Sequence, residues 1–135
     1  MTVMSREDFN FSSIKVHEIM TKSLIAVNTS TTALQIAKMM EQGGIGAVIV
    51  KDPSGIVGIV TDRDFATKIA ANSMSFDTTA EKIMSSPIIT INHDQSISAA
   101  AGMMNSKKIR KLGVSKNDRI VGIITSTDLV NQLAK

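Results

Sequence analysis

Thr61-x-x-Asp64 and Thr125-x-x-Asp128 carry the residue types in this sequence best placed to do chemistry. Each closes an apolar run, GIVGIVTDRDF from Gly55 and RIVGIITSTDL from Arg119. A Thr with a carboxylate three residues on is first of all a helix start: the hydroxyl caps, and the Asp complements the helix dipole and returns a hydrogen bond to the cap. The same geometry offers something more. A carboxylate on a first helical turn accepts two hydrogen bonds from a ribose diol, while free N–H groups and the positive helix end suit a phosphate. The residue types alone leave both readings open.

Cations flank the two quartets unequally. Arg63 stands between Asp62 and Asp64, but its counterpart is Thr127, and Arg110-Lys111 replace Gly46-Ala47. The tract KKIRK at 107–111 gathers positive charge in the second half, and the net charge of +3 permits an anion. Solvated surface charge is the plain alternative for Arg63 and Lys111. Catalytic constellations are not found. His17 and His93 each stand alone, outside any HxxE or HExxH spacing, and read as surface residues. No GxSxG, Walker or Rossmann pattern occurs, and the absence of Cys removes thiol catalysis and Cys-based metal sites. The expectation is a protein that is not an enzyme and requires no cofactor or metal.

The elements that must position these residues come twice. Met20 falls on Met84, Asn28 on Asn92, Met39-Met40 on Met103-Met104, Gly58 on Gly122 and Asp64 on Asp128, an ungapped offset of 64. A unit of about 60 residues buries only about 60% of its unfolded surface, so two such copies are expected to share a core. Each copy reads as a short helical turn (SSIKVHEIM, DTTAEKIM), a strand (SLIAVN, PIITIN), a helix, a hairpin and a last helix starting at Thr-x-x-Asp. Ser30 and Asp94 are the expected N-caps of the middle helices, and Thr78 with Glu81 has capping-box spacing. Apolar positions 33, 34, 36, 37 and 40 predict a broad buried stripe, ended by Gly43-Gly44; the second middle helix ends less sharply. The hairpins turn at Asp52-Pro53-Ser54-Gly55 and Lys116-Asn117-Asp118. The expected organisation is a tail over 1–12, docking through Phe9 and Phe11, then repeats over 13–72 and 77–135 joined by a polar turn.

VHEIMTKSLIAV with AEKIMSSPIITI, IGAVIV with IRKLGVS, and GIVTDRDF with GIITSTDL together resemble the CBS (cystathionine β-synthase) domain, in the tandem pair called a Bateman module. The likeness runs from about Ser13 to the C-terminus. It implies an α/β (α+β) fold of two pseudo-symmetric βαββα units packed sheet to sheet, with clefts between them that commonly bind adenosine-containing ligands. By the same resemblance Asp64 and Asp128 are ribose ligands, and Thr61 and Thr125 line their pockets. Arg110 and Lys111 would neutralise phosphate at the Asp64 site, and Arg63 at the Asp128 site. Ile25 and Val27, with Ile89 and Ile91, would supply an apolar slot for adenine, ordinary strand core being the alternative.

The expected function is that of a stand-alone regulatory sensor for AMP, ADP, ATP or a related adenosyl ligand, acting on itself or on a protein partner. Family members commonly pair through their helices, which predicts a homodimer. Two rivals stay in view: a nucleic-acid binder using KKIRK, and a ligand-free protein-interaction module. With neither Trp nor Tyr and only four Phe, stacking platforms for nucleic acid are scarce. No charged-then-apolar leader and no apolar run of ~18 residues is seen, so a soluble cytoplasmic protein without membrane contact is expected.

Overall fold

The computed structural model describes residues 11–134. Its elements are α1 (Val16–Ile19), β1 (Ala26–Asn28), α2 (Ala33–Gly43), β2 (Ala47–Asp52), β3 (Gly55–Thr61), α3 (Asp62–Asp64), a π-helix (Phe65–Ala70), α4 (Ala80–Ile83), β4 (Thr90–Asn92), α5 (Ile97–Lys107), β5 (Lys111–Lys116), β6 (Arg119–Thr125) and α6 (Ser126–Leu133). They form two compact units, one of Leu24–Ile88 and one of the described residues up to Ser23 with those from Ile89 onward. Each holds a three-stranded sheet, β1-β2-β3 or β4-β5-β6, in which the first pair is parallel and the second antiparallel. The registers repeat as well. Val50 pairs with Gly58 and Val114 with Gly122, each followed by an irregularity, between Val50 and Lys51 and between Val114 and Ser115. The α+β class with paired βαββα units is therefore observed.

Sequence repeat and packing unit are out of step. Val16, from the turn that leads the first copy, is fully buried in the core of the second, with Ile97, Leu112, Ile124 and Leu129. Val16 N–H donates to Gln95 C=O at 2.8 Å, Ile97 N–H to Ile14 C=O at 2.9 Å, and Thr21 and Ile123 exchange backbone bonds at 2.8 and 3.0 Å. The exchange is mutual, since Ala80 and Ile83 are fully buried in the first copy's core with Ile36, Val48 and Val60. There Ala80 N–H donates to Thr31 C=O and Ala33 N–H to Thr78 C=O, both at 2.8 Å, and Ser85 and Ile59 pair reciprocally. A four-residue helix cannot bury its own apolar side, and each fully buried Val or Ile is worth about 1.5–3 kcal/mol. Docking on a sheet is what makes these turns helical.

Local chemistry corrects several expected boundaries. Ser30 does not cap α2: Asn28 Oδ1 accepts from Ser30 N–H at 3.0 Å and from the Ser30 and Thr31 hydroxyls, which holds 28–31 in an Asx turn. The cap is Thr32, whose hydroxyl accepts from Gln35 N–H at 3.2 Å while Gln35 Oε1 accepts from Thr32 N–H at 2.9 Å, a full capping box. Asp94 is displaced likewise by Asn92, and Ser96 caps α5. The Thr78–Glu81 box does not form, because Thr78 Oγ1 donates to Ser75 C=O at 2.6 Å and the helix begins at Ala80. Gly44 ends α2 at φ 61°, and α5 ends as sharply with Lys108 at φ 57°. The α2 stripe is narrower than expected, with Leu34 43% exposed. The strands expected over SLIAVN and PIITIN contract to Ala26–Asn28 and Thr90–Asn92, where β2 and β5 offer partners. Phe11 packs on the Val16-containing core, and Phe9 lies outside the described residues.

Candidate functional site

Each Thr-x-x-Asp follows the last strand of a sheet. Thr61 pairs with Ala47 and Thr125 with Lys111, and the next residue ties back across the sheet: Asp62 N–H donates to Gly46 C=O at 3.1 Å, Ser126 N–H to Arg110 C=O at 2.9 Å. In the Ile89-onward unit, therefore, exposed Arg110 and half-buried Lys111 lie beside the helix start of their own copy. Arg63 is exposed on the first turn of α3.

The two carboxylates accept the same backbone bond from their Thr and differ in everything else around them. Thr125 N–H donates to Asp128 Oδ2 at 2.8 Å, and Asp128 N–H donates to Thr125 Oγ1 at 3.1 Å. This is the reciprocal box, typically worth about 1 kcal/mol. Within its unit, among the described residues, no donor reaches Asp128 Oδ1. Thr61 N–H likewise donates to Asp64 Oδ2 at 2.8 Å, with the Thr61 hydroxyl at 3.3 Å. Here, however, Oδ1 is taken: Lys68 Nζ lies at 3.0 Å and Ser85 Oγ donates at 3.3 Å. Lys68 also donates to the carbonyls of Ile83 at 2.8 Å and Met84 at 3.1 Å, closing the C-terminal end of α4. Asp64 is only 4% exposed, and Asp128 is half-buried.

Lys68 and Ser85 are site residues that the sequence reading missed. The spacing from Asp64 to Lys68 is that of an i,i+4 ion pair, which was the available signal. Ser85 comes from the exchanged turn and had none. The residues expected to line an adenine slot divide: Val27 and Ile91 are buried in the cores of their units, whereas Ile25 is 43% and Ile89 38% exposed. His17 and His93 are not solitary. His17 N–H donates to His93 C=O at 3.2 Å as α1 docks, which brings the rings to 5.7 Å between centroids. Among the described residues no group of three His, Cys, Asp or Glu could hold a metal ion. A concave surface of about 510 Å³, lined by Asn28, Gln35, Lys38 and Gln42 among others, lies along β1, at the sheet edge opposite β3. No helix among the described residues is long and apolar enough to cross a membrane.

The family model of the CBS domain matches twice, over residues 16–71 and 80–135. The chain belongs to the CBS-domain family. CBS-domain protein YhcV of Bacillus subtilis is 31% identical over 88% of this chain and 86% of its own. The uncharacterized protein MK0525 of Methanopyrus kandleri is 35% identical over 87% of this chain, which spans 62% of that relative's length. Among solved structures, the CBS domain pair of protein MJ0100, in complex with 5′-methylthioadenosine and S-adenosyl-L-methionine, is 29% identical with a TM-score of 0.78, covering 89% of this chain and 95% of that one.

Proposed function

We propose that this CBS pair is a regulatory sensor that takes an adenosyl ligand, an adenine nucleotide or a relative such as S-adenosylmethionine, at the Thr125–Asp128 helix start. The observation that carries the reading is a carboxylate fixed by its cap through one oxygen while the other accepts from no donor in its unit among the described residues. That oxygen has two acceptor positions, the number a ribose diol fills. Arg110 and Lys111, at the same end of the sheet, suit a phosphate, and exposed Ile89 suits an adenine face. The similar domain pair of MJ0100 holds two adenosyl compounds, which supports this ligand class.

Sensing requires that the ligand bind two conformations unequally, and the output is a changed grip on a protein partner or on a second copy of the chain. A homodimer through α6 is part of the proposal, since Val130 is 62% and Leu133 52% exposed there. A thermal-shift screen against AMP, ADP, ATP, NAD, S-adenosylmethionine, 5′-methylthioadenosine and cyclic dinucleotides tests the reading. A ligand at ~100 times its dissociation constant stabilises by about 2.7 kcal/mol. At least one member should raise the melting temperature; no shift with any of them refutes the proposal.

A further inference from the structure

We infer that Lys68 withholds Asp64 from ligand, so that the two Thr-x-x-Asp starts are not equivalent and the chain takes a single adenosyl ligand, on Asp128; this rests on the adenosyl reading above. Acceptor capacity separates the two carboxylates. An ionised carboxylate offers about four lone-pair positions. On Asp64 all four have donors: Thr61 N–H and Oγ1 on Oδ2, Lys68 Nζ and Ser85 Oγ on Oδ1. On Asp128 a single described donor in its unit is present, Thr125 N–H on Oδ2. A ribose diol arriving at Asp64 must displace the ammonium group, and the same group holds the last carbonyls of α4.

The difference between the copies is written in two positions. At the repeat offset Lys68 corresponds to Gln132, which carries no charge to offer Asp128, and Ser85 corresponds to Thr21. The backbone differs with it. Phe65–Ala70 is wound as a π-helix, with Ala71 N–H reaching Ala66 C=O at 3.1 Å, while α6 is an ordinary α-helix. Such wide turns recur at functional sites. Lys68 is thus a positioning residue: it ties the acid of the first copy to the end of the turn docked on that copy's sheet.

A residue swap tests this. Lys68→Gln gives the first copy the residue of the second, and Gln132→Lys does the reverse. Isothermal titration of the full chain with AMP and with 5′-methylthioadenosine should show one site in the wild type and two in Lys68→Gln. In Gln132→Lys affinity should fall at least tenfold, circular dichroism confirming that each variant folds. Two equivalent sites in the wild type overturn the inference and leave the adenosyl reading standing. So does unchanged stoichiometry in Lys68→Gln with unchanged affinity in Gln132→Lys. Binding of neither probe to the wild type or to Lys68→Gln overturns the inference, and the adenosyl reading falls with it when the thermal-shift screen is also blank. Should Lys68→Gln fail to fold, Gln132→Lys decides alone, because a half-exposed Gln has no buried charge to strand: retained affinity overturns the inference.

Discussion

Replacing Gly58 by Ala should destabilise the protein, although the same change at Gly102 should stabilise it. A Cβ on Gly58 would lie 2.5 Å from Met84 Sδ, 2.9 Å from Met84 Cγ and 3.0 Å from the Ser85 carbonyl oxygen. Optimal heavy-atom contacts need about 3.5–4.0 Å, so Met84 must retreat by roughly 1 Å. The carbonyl has little freedom to follow, because Ile59 N–H bonds it at 3.1 Å and Ser85 N–H bonds Ile59 C=O at 2.8 Å. Overpacking of this kind costs about 1–3 kcal/mol, against which the entropy of the unfolded chain returns about 0.4–1 kcal/mol. The net loss is on the order of 1–2 kcal/mol, five- to thirtyfold in the folded ratio. Gly102 lies within α5, and nothing stands within 4 Å of its added Cβ. There Ala should gain about 0.5–1 kcal/mol. Urea denaturation reads both as shifts of midpoint at constant slope. Adding Met84→Ala to Gly58→Ala should recover part of the loss. A neutral or stabilising Gly58→Ala would mean that the exchanged turn does not press on β3.

A Cβ on Gly122 would lie 2.6 Å from Met20 Sδ and 2.9 Å from the Thr21 carbonyl oxygen, so Gly122→Ala should cost a similar amount; a change well below that of Gly58→Ala contradicts the matched docking. Asp52 is held below its ordinary value of 3.8, chiefly by the Ser54 hydroxyl and then by Ser54 N–H. Its pKa being depressed on folding, the contribution is present above the ordinary value and lost as pH falls through the lowered one. The Ser54 amide resonance should titrate with a midpoint under 3.8, and a midpoint at or above it would contradict the turn. Val130→Asp with Leu133→Asp should convert a dimer to the 14.5 kDa monomer in sedimentation at micromolar concentration. A wild type that sediments only as monomer removes the α6 interface.

Much of this molecule was legible in the sequence because the repeat made each local signal appear twice. Gly43-Gly44 stopped α2, Asn117 and Asp118 turned the hairpin with φ of 52° and 62°, and both Thr-x-x-Asp quartets started helices. Caps were misplaced by two residues where an Asn side chain captured the nearby donors first, a competition that propensity does not rank. The exchange of leading turns was invisible for a deeper reason. Val16 and Ala80, like Ile19 and Ile83, occupy equivalent positions on near-identical sheets, so either docking satisfies the same apolar pattern. That also hid Ser85 at Asp64 and the meeting of His17 with His93, both of which depend on which sheet receives which turn. Lys68 was readable by spacing, but its grip on the carbonyls of Ile83 and Met84 was not.

Whether Asp128 holds a ribose hydroxyl is read from a cycle between ligand and protein. AMP and 2′-deoxy-AMP are titrated calorimetrically into the wild type and into Asp128→Ala. Hydrogen bonds to a charged acceptor are worth about 1.5–3 kcal/mol, so the wild type should prefer AMP by roughly ten- to a hundredfold. That preference should vanish in Asp128→Ala. The same preference in both proteins would contradict the account and leave Thr125-x-x-Asp128 as a helix cap.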